Sequence, residues 1–286
     1  MSLVAHGPLP AGVRAHQIEI PGGPLAVLEA AAHGQQRATV VLVPGFTGSK
    51  EDFREILGPL AEAGHRVVAI DQRGQHESPG PDDHAGYTTA ALGTDLLHLA
   101  DELGDGPVHL VGHSFGGLVG RSAVLQDPTK FRSLVLMDSG PAGLTGPRAA
   151  VLPLMRAILL EGGLEAVWDA AEAISSPDPR KPVPTAEAKA FLRTRMLAGS
   201  PAALLAMAEA LTGEPDRCAE LKQIDLPKLV MYGENDDAWS PAAQDEMATR
   251  IDAAVIVIPA AFHSPAAENP ELTVQVLRDF LAAVDG

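Results

Sequence analysis

Two apolar or alternating runs, residues 15–20 and 25–31, flank Pro21-Gly22-Gly23-Pro24 near the start of the chain, a pattern that predicts a β-hairpin. From residue 39 onward the pattern changes to short, uniformly apolar runs separated by stretches of helical period. Strands are predicted over residues 39–43, 66–70, 108–111, 133–137, 228–232 and 254–258. Runs without a polar face suit a parallel sheet covered by helices on both sides. Ser49 opens a first helix, with Asp52 as its capping partner and Phe53, Ile56, Leu57 and Leu60 at helical spacing. Further helices are predicted over residues 88–103 and 115–126, after Ser240-Pro241, and over residues 270–284.

One region breaks the alternation. Between Pro141 and Leu226 no strand pattern occurs, Ala, Leu, Met and Glu dominate, and Pro177-Asp178-Pro179 and Pro182 to Pro184 mark breaks. This predicts a helical lid over residues 142–226, inserted into a sheet domain made of residues 1–141 and 227–286. Leu152, Leu154, Met155, Ile158, Leu159 and Trp168 recur at spacings that suit packing onto that domain.

Composition narrows the function. A chain of 286 residues can bury one large core without staples, and its single cysteine, Cys218, can close no internal disulfide. The lone thiol is expected to be an unremarkable surface or lid residue in a reducing compartment. With 21 basic and 37 acidic residues the formal charge is −16, which argues against nucleic acid and anionic membrane surfaces as partners. Residues 1–10 carry Gly7, Pro8 and Pro10 where a secretory signal has a basic start and an apolar stretch, and no apolar run reaches the ~18 residues of a membrane span. A soluble, cytoplasmic monomer or homodimer acting on a small molecule is therefore expected.

The strongest chemical signal is Val108-His109-Leu110-Val111-Gly112-His113-Ser114-Phe115-Gly116-Gly117, an apolar strand running through Gly-x-Ser-x-Gly into a helix. A sharp turn of this kind lifts the serine hydroxyl above the sheet edge. It also aims free N–H groups of the helix start at a spot where negative charge can develop. A serine nucleophile needs a base, and a neutral imidazole needs a carboxylate to orient it. His263, a short loop after the last strand, is the expected base, with His113 read as packed under the turn and His6, His16, His33, His65, His84, His98 and His109 as structural. Asp236 is the first choice for the acid. Asp138, at the end of the strand over residues 133–137, and Asp237 remain alternatives.

With these motifs the chain resembles the α/β-hydrolase fold superfamily, specifically serine hydrolases of the esterase/lipase-like branch with a helical lid. Val40-Val41-Leu42-Val43-Pro44-Gly45-Phe46 resembles the family's oxyanion loop and Asp71-Gln72-Arg73-Gly74-Gln75-His76-Glu77-Ser78 its arginine stretch. Gly233-Glu234-Asn235-Asp236 is similar to the acid loop, and His263-Ser264-Pro265 with Glu268 and Pro270 to the histidine loop. Pro44 replaces a usual histidine, which bears on how the loop is positioned, and His76 stands where glycine is usual. The resemblance implies a mostly parallel eight-stranded sheet with helices on both faces, catalysis by Ser114, Asp236 and His263, and oxyanion donors in the backbone N–H groups of Phe46 and Phe115. Trp168 and Trp239 are weaker candidates for the pocket wall.

No phosphate loop, no Gly-x-Gly-x-x-Gly after the first strand and no metal-binding helix motif occurs, so no cofactor and no metal are expected. The implied reaction is acyl transfer on a small to medium, largely apolar and uncharged ester or lactone. Epoxide hydrolase and dehalogenase relatives carry aspartate where this chain has Ser114. Carbon–carbon bond hydrolases and cofactor-free perhydrolases use the same three residues, and a ligand-binding receptor with weak turnover is the alternative from another class.

Overall fold

Eight strands pair into a single sheet: β1 (Val13–Ile18), β2 (Leu25–Ala30), β3 (Thr39–Val43), β4 (Arg66–Ile70), β5 (Val108–His113), β6 (Phe131–Met137), β7 (Lys228–Gly233) and β8 (Ala254–Ile258), in the order β1-β2-β4-β3-β5-β6-β7-β8. The structure is a computed structural model that describes residues 7–174, 180 and 183–286. The prolines predicted to break the insertion at Pro177, Pro179 and Pro182, the beginning of the N-terminal segment and His6 lie outside the described residues. β1 and β2 form the expected hairpin, with Ile18 opposite Leu25 and Val13 opposite Ala30, and β2 runs antiparallel to β4. All pairings from β4 to β8 are parallel.

The apolar runs are explained by what each face meets. Val41 and Val43, Leu110, and Leu134 and Leu136 point into one buried cluster with Leu92, Leu96, Leu118 and Val119. Val40 and Leu42, Val111, and Val135 and Met137 point into the other, with Ile56, Leu57, Leu277 and Leu281. The first cluster is covered by α2 (Thr89–Leu103) and α3 (Phe115–Gln126), and the second by α1 (Arg54–Glu62) together with α11 (Pro270–Asp285). The helix expected to open at Ser49 begins with one 3₁₀ turn, Lys50–Phe53, and Asp52 accepts the Ser49 N–H at 3.2 Å as a capping partner should.

Between β6 and β7 the described chain is helical: α4 (Gly146–Ala150), α5 (Leu152–Ile174, kinked at Gly163), α6 (Ala186–Ala198), α7 (Pro201–Gly213) and α8 (Cys218–Lys222). These helices lie between the strands the alternation predicts. α9 (Pro241–Arg250) and the short α10 (Pro265–Glu268) complete the fold. Cys218, expected on the surface or in the lid, lies on α8 within the predicted insertion but is buried in the main core, where burial and then Asp216 push its thiol up to about 11. Among the described residues no single helix is long and apolar enough to cross a membrane.

Candidate active site

The parallel strands end on one edge of the sheet, and there the predicted residues converge. Ser114 sits between β5 and α3 at φ 55°, ψ −120°, a conformation that costs a non-glycine residue energy and persists because its surroundings hold it. Its N–H donates to Met137 O at 2.8 Å and its carbonyl accepts from Ser139 Oγ at 2.8 Å, so the next strand clamps the turn. The flanking glycines are required by distance: a Cβ on Gly112 would lie 2.4 Å from Gly116 O, and one on Gly116 2.4 Å from Val43 O.

Ser114 Oγ lies 2.9 Å from His263 Nε2, and His263 Nδ1 lies 2.7 Å from Asp236 Oδ1. With Nδ1–H donated to the carboxylate, Nε2 is left as the acceptor for the serine hydroxyl. The side chain of Asp236 is fully buried, yet its charge is compensated: Oδ1 also accepts the Ala238 N–H at 2.9 Å, and Oδ2 accepts Gln244 Nε2 at 2.7 Å. Gln244, entirely buried on α9, was not singled out by any sequence pattern, because an isolated glutamine at helical spacing carries no signal.

The two alternative acids are separated by their surroundings. Asp237 pairs with Arg148 at the surface. Asp138 is buried beside Asp236, with ligand atoms of Asp138, Asp236 and His263 all within 4.8 Å of one another, and its Oδ1 accepts the Gly233 N–H at 2.9 Å. Burial first, and then the Asp236 charge, push the Asp138 carboxyl well above the usual carboxylate range. It lies next to Asp236 and accepts from Gly233, not from His263.

His263 is held from both sides. Glu268 Oε2 accepts the N–H groups of Phe262 at 2.7 Å and Ser264 at 3.1 Å, and His113 donates Nε2–H to the His263 carbonyl at 2.6 Å. His113 is thus more than packing under the turn: its ring lies 5.1 Å from that of His263 and borders the cavity. The turn carrying Phe46 passes directly over the serine, since a Cβ on Gly45 would meet Ser114 Cβ at 2.9 Å. Two glutamines of the arginine stretch set that turn: Gln72 Nε2 donates to Pro44 O at 2.9 Å and Gln75 Nε2 to Gly45 O at 2.8 Å. This answers the question raised by Pro44, because the loop is positioned from the neighbouring segment rather than by a residue at 44. Among the described residues, the N–H groups of Phe46 and Phe115 donate to no protein acceptor. His76 has φ 40°, which accounts for the usual glycine at its position.

A cavity of about 360 Å³ opens above Ser114. That is within the range of small-molecule sites. Phe46, Leu152, Met155, Trp168 and Trp239 form apolar wall, so both tryptophans border it while remaining largely buried. Arg195, from α6, also reaches it, a charged residue that its place on a predicted insertion helix did not reveal.

Two further groupings among the described residues bring ligand-type atoms together. Glu51, His76 and Glu77 surround the buried Lys50, whose ammonium ion bonds Glu51, Asp71 and Glu77 and already supplies a cation. His65, His109 and Asp285 lie at the opposite sheet edge, where Ser133 and Asp285 take the two His109 nitrogens and Arg132 shares the carboxylate.

Comparison with known proteins agrees with the fold. The profile of the Alpha/beta hydrolase family matches residues 40–276. A Variovorax paradoxus protein provisionally named carbamate hydrolase RutD is 44% identical over 100 residues, which are 35% of this chain and 37% of that protein. The enol-lactonase from Burkholderia xenovorans superposes with a TM-score of 0.78 at 22% identity, covering 93% of this chain and 100% of the other. A thermophilic esterase from Thermogutta terrifontis superposes with a TM-score of 0.76 at 24% identity, covering 96% and 100%. At these identities the two structural likenesses carry the fold alone.

Proposed function

The chain belongs to the alpha/beta hydrolase family, and from that premise we propose that it is a serine hydrolase cleaving a small to medium ester or lactone through an acyl-enzyme on Ser114. The observation that carries this reading is the unbroken hydrogen-bonded chain from Ser114 Oγ through His263 to Asp236, at 2.9 and 2.7 Å. Ser114 Oγ attacks the substrate carbonyl as His263 Nε2 takes its proton, and Asp236 stabilises the resulting imidazolium. The tetrahedral oxyanion is held by the Phe46 and Phe115 N–H groups, the second at the start of α3, where the helix dipole favours negative charge. Collapse breaks the carbonyl carbon–oxygen bond, and His263 returns the proton to the leaving alkoxide. Water, deprotonated by His263, then attacks the acyl-enzyme and frees the acid, restoring Ser114.

The helices between β6 and β7 act here as a lid whose apolar wall, with Trp168 and Trp239, receives the non-reacting part of the substrate. Removing one oxyanion donor in such a site costs about 10²–10³ in turnover. Treating the protein with a fluorophosphonate probe and mapping the adduct tests the reading. Labelling on Ser114, abolished in Ser114→Ala, is the expected result. Absent labelling, or an adduct on another residue, overturns the mechanism and favours a binding protein. A series of p-nitrophenyl esters of increasing chain length, run beside lactones, then reports the pocket's depth.

A further inference from the structure

Of the two arginines that the described inserted helices bring to the cavity, Arg148 and Arg195, Arg195 is the buried one, and only part of it is occupied. Its side chain is 9% exposed. Nη1 donates to Asp52 Oδ1 at 2.6 Å and to Ser49 Oγ at 3.3 Å. Its guanidinium carbon lies 5.9 Å from the ring centre of Phe191. Among the described residues nothing accepts from Nε or Nη2, and neither atom is a fully buried donor without a partner.

A strut tying α6 to the sheet domain needs only the Nη1 bonds. The donors left over are the two parallel N–H groups on one edge of the guanidinium plane, the fork that matches a carboxylate bidentately. The pair with Asp52 fixes the plane of the group, so the free fork is already oriented. Ser114 and Arg195 border the same space, separated by the Gly45–Gly48 turn and by apolar wall from Phe46 and Met196. The other charges there are engaged: Glu268 on two backbone N–H groups, and Arg148 on Asp237.

The geometry points to Arg195 as the recognition site for a carboxylate on the substrate, remote from the scissile carbonyl, so that the preferred class is a hemiester of a dicarboxylic acid or a lactone bearing a carboxylate. This deepens and rests on the reading of Ser114 as nucleophile, and it replaces the expectation of an uncharged substrate. Asp52 neutralises the arginine when the site is empty, and the substrate adds two charge-assisted hydrogen bonds along the free edge. An uncharged ester leaves those donors to water and gains nothing from them.

The test compares ethyl butyrate, valerate and hexanoate with monoethyl succinate, glutarate and adipate, followed by proton release at near-neutral pH. At the chain length that spans from Ser114 to Arg195, kcat/KM for the hemiester should exceed that of its neutral match by about tenfold or more. Arg195→Gln should collapse that ratio, and Arg195→Lys, which keeps the charge but lacks the fork, should restore part of it. A neutral ester preferred at every length, or a ratio that survives Arg195→Gln, overturns the assignment. If Arg195→Gln does not fold, the unaltered protein decides: glutarate or adipate should inhibit turnover of a neutral ester competitively and more strongly than the corresponding uncharged diamides, and equal or weaker inhibition overturns the proposal. Hydrolysis of both classes without preference refutes the carboxylate site and leaves the serine mechanism standing. No turnover together with no labelling of Ser114 refutes both.

Discussion

His113 offers a test of the site's electrostatics that does not depend on any substrate. Its side chain is buried beside His263; burial, and then the charge His263 carries when protonated, push its pKa from an ordinary 6.5 down to about 4. In the folded protein the ring is therefore neutral over an interval in which the unfolded chain binds a proton. Stability rises with pH wherever the unfolded state holds more protons. This contribution is thus fully present above about pH 6.5 and is lost as the pH falls toward 4. The whole interval is worth about 3 kcal/mol, at a slope of up to about 1.4 kcal/mol per pH unit. His113→Gln keeps an N–H donor but does not titrate. Urea unfolding of both proteins at steps from about pH 4.5 to 7, followed by tryptophan fluorescence, should show the variant less stable at neutral pH, with the gap narrowing on acidification. His109, which burial also pushes down to about 4, is present in both proteins and cancels in the difference. Parallel stability curves would show that His113 is not held neutral, and the reasoning would fail.

The two adjacent carboxylates make opposite predictions. Asp236→Asn should lower kcat by roughly 10³–10⁴ by removing the group that orients His263, whereas Asp138→Asn, which keeps an acceptor for Gly233 and leaves the His263 bond untouched, should change it by less than about tenfold; steady-state rates on any ester the protein turns over decide this. The reverse pattern would move the acid to Asp138. The elbow glycine should respond strongly in thermal melts. Gly112→Ala places a methyl 2.4 Å from backbone and should cost about 3 kcal/mol or more. A neutral Gly112→Ala would show that the elbow can relax.

Strand positions were readable where burial on two faces leaves a trace: β3 and β4 occupy the very residues their apolar runs predict, and β8 does so too, although Val255, Ile256 and Val257 are exposed at the sheet edge. The errors fall where another force sets the boundary. β5 continues through Gly112 and His113, which look like turn residues, because pairing with Leu136 and Met137 carries the strand into the elbow. β1 begins at Val13 rather than 15 because the hairpin register with β2 places it. Its outer residues are half exposed, so hydrophobicity there says little about where pairing starts.

The same distinction separates the reacting groups from the groups around them. Ser114, Asp236 and His263 each sit just past the end of a strand, so a local motif places each one on the sheet edge, and three local signals add up to a site. Gln244, Gln72, Gln75 and Arg195 owe their roles to partners 8, 28, 30 and 143 residues away along the chain. Only the Gln244 contact falls within a short window of sequence, and the other three join stretches that no local pattern spans. Arg195 shows the consequence most sharply: on α6 it reads as an ordinary solvated arginine, and only its pairing with Asp52, across the junction of insertion and sheet, holds it buried at the cavity wall. Reaction type is therefore written at strand ends, where local physics suffices. The substrate choice proposed for Arg195 depends instead on a contact between the inserted helices and the sheet domain, where Asp52 pairs with one part of the guanidinium.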